Sequence, residues 1–219
     1  MRYSQRFVVV AAFFVTALVV SNIIAVKLVE VSGRVFPARL VIFPLAYLLG
    51  DVLTEVYGVR AARRVIWLGF ACNLVALGAI QAAIHLPAAG FSEENQGAYE
   101  QILGTTWRLF VASLAAYVVG ELANAYVLAF MKGATGGRFL WTRTIGSTIV
   151  GEGLDSAIFI TIAFAGTGAG LLNPIVTTWL IKVAWETAAT PLTYAVVNYL
   201  KRTEGMDVYD FGRPTVARL

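Results

Sequence analysis

A chain of 219 residues that is 58% hydrophobic and only 14% charged lies outside the range of soluble domains, which carry about 25% charged residues. Its formal net charge of +4 is too small to indicate a nucleic-acid partner. Cys72 and His85 are its only cysteine and histidine, which excludes a disulfide framework and a zinc centre.

Six stretches are long and apolar enough to cross about 30 Å of hydrocarbon: residues 7–26, 40–57, 65–86, 108–131, 144–165 and 174–199. The first follows a basic start, "MRYSQRF", and lacks a small-x-small cleavage signal, so it reads as a retained helix. The second, within "FPLAYLLGDVLTEVYG", holds Asp51 and Glu55. Four residues apart, they share one helix face. Each ionised carboxylate costs about 2.5–3.5 kcal/mol near a bilayer centre on insertion scales. The third ends near His85, which reads as an interfacial residue. Residues 87–107 are polar and acidic, and their Gly and Pro residues predict a loop. The fourth stretch carries Glu121 and Asn124; the fifth carries Ser147, Thr148, Glu152 and Asp155 beside the glycine-rich "GSTIVGEG"; the sixth carries Lys182, Glu186 and Pro191. The predicted fold is therefore an all-α integral membrane protein. It is one domain over 1–219, a bundle of six transmembrane helices.

Basic residues orient the bundle. With the amino terminus inside, twelve Lys and Arg residues fall on the cytoplasmic side and four, Lys27, Arg34, Arg39 and Arg108, on the other. That bias predicts cytoplasmic termini. Six spans also divide into two halves of three, which would be inverted relative to each other. The carboxylate pairs Asp51/Glu55 and Glu152/Asp155 occupy corresponding helices in the two halves.

Within the spans stand six carboxylates, Asp51, Glu55, Glu121, Glu152, Asp155 and Glu186, against one lysine, Lys182. Asn22, Asn73, Asn124, Ser147, Thr148 and Asn198 add amides and hydroxyls. Lipid cannot satisfy these groups, so they must face the bundle interior or a wet cavity. Helix–helix hydrogen bonding accounts well for Asn73, Ser147 and Thr148. It accounts poorly for six acids sharing one lysine. Carboxylates beside amides suit a flat heterocycle with N–H donors and carbonyl acceptors, and Phe43, Tyr47, Tyr117, Phe159 and Trp185 are candidates to stack on its ring.

The segments "SNIIAVKLVEV", "FPLAYLLGDVLTEVYG", "ARRVIW", "GSTIVGEGLDS" and "IKVAWETAATPLTY" resemble signatures of the bacterial queuosine precursor transporters, also called the vitamin uptake transporter family. The resemblance spans roughly residues 20 to 200 in chain order. It implies uptake of 7-deazaguanine precursors of queuosine, such as preQ0, across the cytoplasmic membrane. Carried over residue by residue, it marks Ser21, Asn22, Asp51, Gly58, Arg63, Arg64, Arg108, Ser147, Thr148, Gly151, Asp155, Lys182 and Pro191, whereas Glu55, Glu152 and Glu186 vary more within the family. The candidate substrate-binding set is Asn22, Asp51, Glu55, Arg108, Glu121, Asn124, Ser147, Glu152, Asp155, Lys182 and Glu186.

Two other classes compete. A substrate-binding subunit of an energy-coupling-factor importer would also be small and six-spanning, and would draw on ATP through partners, since no Walker A sequence occurs here. An intramembrane enzyme would use Asp51 and Asp155 as an acid–base pair, but no nucleophile–base pattern accompanies them. The reading taken is a transporter, not an enzyme, with no metal or cofactor. Its partners are a small-molecule substrate and the lipid bilayer, and the sequence is compatible with a homodimer.

Overall fold

The computed structural model describes residues 4–25, 27–31, 34–104, 107–166, 170–211 and 217–218. In chain order these form α1 (Gln5–Ile24), a hairpin of β1 (Leu28–Val31) and β2 (Arg34–Pro37), and a 3-10 turn (Ala38–Val41). The helices α2 (Phe43–Tyr57), α3 (Val59–Ile84), α4 (Glu93–Leu103), α5 (Trp107–Ala134), α6 (Leu140–Phe164) and α7 (Leu172–Glu204) follow. The short strands β3 (Met206–Asp207) and β4 (Ala217–Arg218) close the chain.

Among the described residues, four stretches are long and apolar enough to cross a membrane: α1, α3, α6 and the one that contains α5. The protein is an all-α membrane protein. The other two long elements differ for physical reasons. α2 has 15 residues, about 22 Å at 1.5 Å per residue, and its neighbours cover it. α7 has 33 residues and carries Lys182, Glu186, Lys201 and Arg202.

α2 lies at the centre, packed on α1, α3, α5 and α7. Its Val52, Leu53 and Val56 are fully buried with Phe14 of α1 and Ile66 of α3. Gly58 joins α2 to α3 at φ 86°, a left-handed conformation that glycine adopts without strain. The first turn of α3 is capped from far along the chain: Val59 N donates to the Asp210 carboxylate at 2.7 Å.

The segment predicted as a loop at 87–107 contains α4. Glu93 and Glu94 in its first turn complement the helix dipole, and Gln96 donates to Glu100 one turn on at 2.7 Å. Gln96 also donates to the Ile84 carbonyl at 3.1 Å, tying α4 to the end of α3. At the opposite end of the bundle Ser4 donates to Glu204 at 2.8 Å. The start of α1 and the end of α7 therefore lie together.

Candidate functional site

A cavity of about 490 Å³ opens between α1, α2, α5, α6 and α7, within the size range of small-molecule sites. Tyr47, Tyr117 and Phe159 supply aromatic wall, and Asn22, Glu121, Asp155 and Lys182 supply the polar groups. Arg39, Phe164, Asn173 and Pro174 stand at its mouth, so it opens at the end away from the chain termini. Asn22 is held in place from two sides: it donates to Asn73 at 2.6 Å and accepts from Ser113 at 3.3 Å. The Tyr117 hydroxyl donates to the Ile66 carbonyl at 2.9 Å.

Lys182 forms the floor. Its ammonium donates to Asp155 and lies 2.6 Å from Glu152, and Tyr47 of α2 stands beside Glu152. Glu121 is 2% exposed and forms no ion pair among the described residues. A buried carboxylate at a cavity wall presents strong acceptors to any N–H donor that enters.

One turn deeper, Asp51 accepts from Asn124 at 2.8 Å and faces Glu186 of α7. Thr148 is buried on α6, and its hydroxyl lacks a partner among the described residues. Ser147, fully buried, donates back to the Thr144 carbonyl of its own helix at 3.0 Å. Asp51, Asn124, Ser147, Glu152 and Glu186 thus stand behind the cavity lining.

Glu55 belongs to a different cluster at the far end of the bundle. Arg143 of α6 donates to it at 2.8 Å and Lys201 of α7 at 2.6 Å, and Lys132 of α5 lies 3.5 Å away. Asp207 of β3 joins them, 2.8 Å from Lys201 and 2.5 Å from Lys132. Arg143 is 1% exposed and Glu55 fully buried. Burial alone would raise the Asp207 carboxyl, but hydrogen bonds from Lys132 and Lys201 overcome it and hold it below the usual carboxylate range. Lys132 also donates to the Val208 carbonyl at 2.8 Å, so the segment after α7 is laced across the ends of four helices.

Arg108 stands apart from both groups. It donates to the Ile162 carbonyl at 2.6 Å and to that of Ala165. A cation there satisfies carbonyls left open at the C-terminus of α6. Of the aromatic candidates, the side chain of Phe43 lies outside the described residues. Trp185 is 47% exposed and turned away from the cavity. His85 caps the end of α3, with Nδ1 2.8 Å from the Gln81 carbonyl.

Four cations went unrecognised as interior groups: Arg39 at the cavity mouth, and Lys132, Arg143 and Lys201 around Glu55. Sequence reading treated them as loop charges that set topology. The missing signal was the convergence of helix ends, which spacing along one helix cannot reveal. Among the described residues no three His, Cys, Asp or Glu side chains gather to hold a metal ion.

A family model described as "Putative vitamin uptake transporter" matches residues 37–196. A protein named "Probable queuosine precursor transporter" from Bacillus subtilis (strain 168) is 31% identical over 191 residues. The alignment covers 86% of this chain and 83% of that protein. No solved structure matches.

Proposed function

This chain belongs to the vitamin uptake transporter family, and on that premise we propose that it imports 7-deazaguanine precursors of queuosine across the cytoplasmic membrane. The observation that carries this reading is the cavity of about 490 Å³, with aromatic walls and buried carboxylates on one polar side. A deazaguanine is flat and presents an amine–amide edge of N–H donors beside a carbonyl. Glu121 accepts from that edge, and Asp155, held by Lys182, supplies a second acceptor. Asn22 pairs with the carbonyl side, and Tyr47, Tyr117 and Phe159 pack on the ring faces.

In this reading α1, α2, α3, α5, α6 and α7 are the six spans, with both termini in the cytoplasm. The cavity then opens outward, and the Glu55–Asp207 cluster closes the cytoplasmic end. The two carboxylate-bearing helices α2 and α6 are counterparts in an inverted pair of three-helix halves.

The test is uptake of labelled preQ0 by cells expressing the chain, with guanine as competitor. The expected result is accumulation that excess unlabelled preQ0 abolishes and guanine leaves largely intact. Equal competition by guanine, or accumulation no greater than in cells without the chain, contradicts the reading.

A further inference from the structure

A column of polar side chains runs from the cavity floor to the far end of the bundle. On α2 it passes through Tyr47, Asp51 and Glu55; on α7 through Lys182, Glu186 and Lys201; on α5 through Tyr117, Glu121, Asn124 and Lys132. Successive members on α2 are four residues apart, about 6 Å along the helix. The cavity ends at Tyr47 and Lys182, and the closing cluster begins at Glu55. Asp51 and Glu186 form the rung between.

That rung is short of protons. Asp51 is 1% exposed and Glu186 4%, and their side chains face each other between α2 and α7. Asn124 serves one Asp51 oxygen. The other, Oδ2, and Oε1 of Glu186 meet no N–H or O–H donor among the described residues. Two carboxylates in contact within a dry interior cannot both ionise, and a shared proton is the donor that the contact lacks.

Other carboxylates lie near the rung: Glu121 of α5 and Glu55 of α2 beside Asp51, and Glu152 of α6 beside Glu186. Lys182, one turn before Glu186, is engaged by Glu152 and Asp155. Lys132, Arg143 and Lys201 are engaged at Glu55 and Asp207.

We propose that this chain is a proton symporter, and that Asp51 and Glu186 are the carrier site for the proton. The inference rests on the transport reading and adds its energy source. The pair alternates between one shared proton and two neutral carboxyls. External water delivers H⁺ through the cavity, an O–H bond forms on the singly charged pair, and the same proton leaves to internal water once the inner end opens. The substrate does not touch the pair, because neither residue lines the cavity.

The experiment uses the full chain in proteoliposomes with labelled preQ0 and an internal pH dye. Exchange is measured without a gradient, and accumulation under an acid-outside gradient. One proton per substrate lets one pH unit support about tenfold accumulation. The expected result is tenfold accumulation by the parent, with acidification of the interior that requires substrate. Asp51→Asn/Glu186→Gln should exchange preQ0 as before and accumulate none against its gradient. Exchange by the parent that ignores the pH gradient and moves no proton overturns the coupling alone, whether or not the variant folds. Gradient-driven accumulation retained by the variant overturns the assignment to this pair. No exchange of preQ0 by the parent overturns the transport reading, and the coupling with it.

Discussion

Gly120 of α5 and Gly151 of α6 meet backbone to backbone: a Cβ on Gly120 would lie 3.0 Å from the Gly151 carbonyl oxygen, and one on Gly151 would lie 2.9 Å from that of Gly120. The same two Cβ atoms would strike the Cβ of Asp155 at 2.8 Å and of Asn124 at 2.7 Å. Helices approach this closely only where small residues remove the side chains between them. The contact therefore sets where one cavity carboxylate and the partner of Asp51 stand.

Alanine at either glycine should force the helices apart. Overpacking of this kind costs about 1–3 kcal/mol. Gly120→Ala and Gly151→Ala should each lower the melting temperature in detergent and weaken preQ0 uptake together. Gly78 has nothing within 4 Å of its Cβ position, so Gly78→Ala is the control and should change neither. Unchanged melting of both interface variants would refute the close contact.

Glu55 holds three cations from three helices. Glu55→Gln leaves Arg143, Lys132 and Lys201 crowded without their shared anion. Breaking a buried ion pair from one side typically costs about 3–5 kcal/mol. The expected outcome is a large loss of thermal stability and of folded protein in the membrane. A variant that melts like the parent would show that Asp207 alone suffices to hold the cluster.

Asp207 makes that cluster sensitive to acid. Its carboxyl is held below the usual 3.8 by the ammonium groups of Lys132 and Lys201, which outweigh burial. A group with a depressed folded value stabilises the protein above its unfolded value, and loses that stabilisation as pH falls through the folded value. Asp207→Asn should therefore melt below the parent at neutral pH and at pH 5. The gap should close only as pH falls below 3.8. A gap that closes between pH 7 and pH 5 would contradict the assignment.

Arg108 separates a family signature from a substrate contact. It caps the end of α6 through the carbonyls of Ile162 and Ala165, away from the cavity lining. Charge at a helix C-terminus is worth about 0.3–1 kcal/mol, up to about 2 in favourable geometry. Arg108→Gln should lower stability by that amount and leave preQ0 affinity unchanged in the protein that folds. An affinity loss at unchanged stability would return Arg108 to the ligand.

Much of this was legible in the residues. Hydropathy located the long helices because a bilayer imposes length and apolarity on each one separately. Spacing by three or four put Glu121 with Asn124, Glu152 with Asp155, and Lys182 with Glu186 on common faces, since helical periodicity is local. Tertiary relations were not legible. Glu55 shares its helix face with Asp51, yet four more residues carry it past the cavity into a cluster of cations. Lys132, Arg143 and Lys201 are polar residues at helix ends, where exposure is the default. Only the convergence of α2, α5, α6 and α7 buries them. α4 was hidden by its Gly and Pro flanks, although Glu93 and Glu94 mark a helix start.

The central claim is that a buried carboxylate in the cavity reads the N–H edge of a deazaguanine. Glu121 tests it most directly, because it lines the cavity and forms no ion pair among the described residues whose loss would unfold the protein. The measurement is equilibrium binding of preQ0 to purified parent and Glu121→Gln proteins, with melting recorded on the same samples. Glutamine keeps the shape but offers one acceptor oxygen in place of two. Loss of a charge-assisted hydrogen bond costs about 1.5–3 kcal/mol, so affinity should fall roughly 10- to 150-fold with melting preserved. A folded Glu121→Gln protein that binds preQ0 as tightly as the parent would contradict the account.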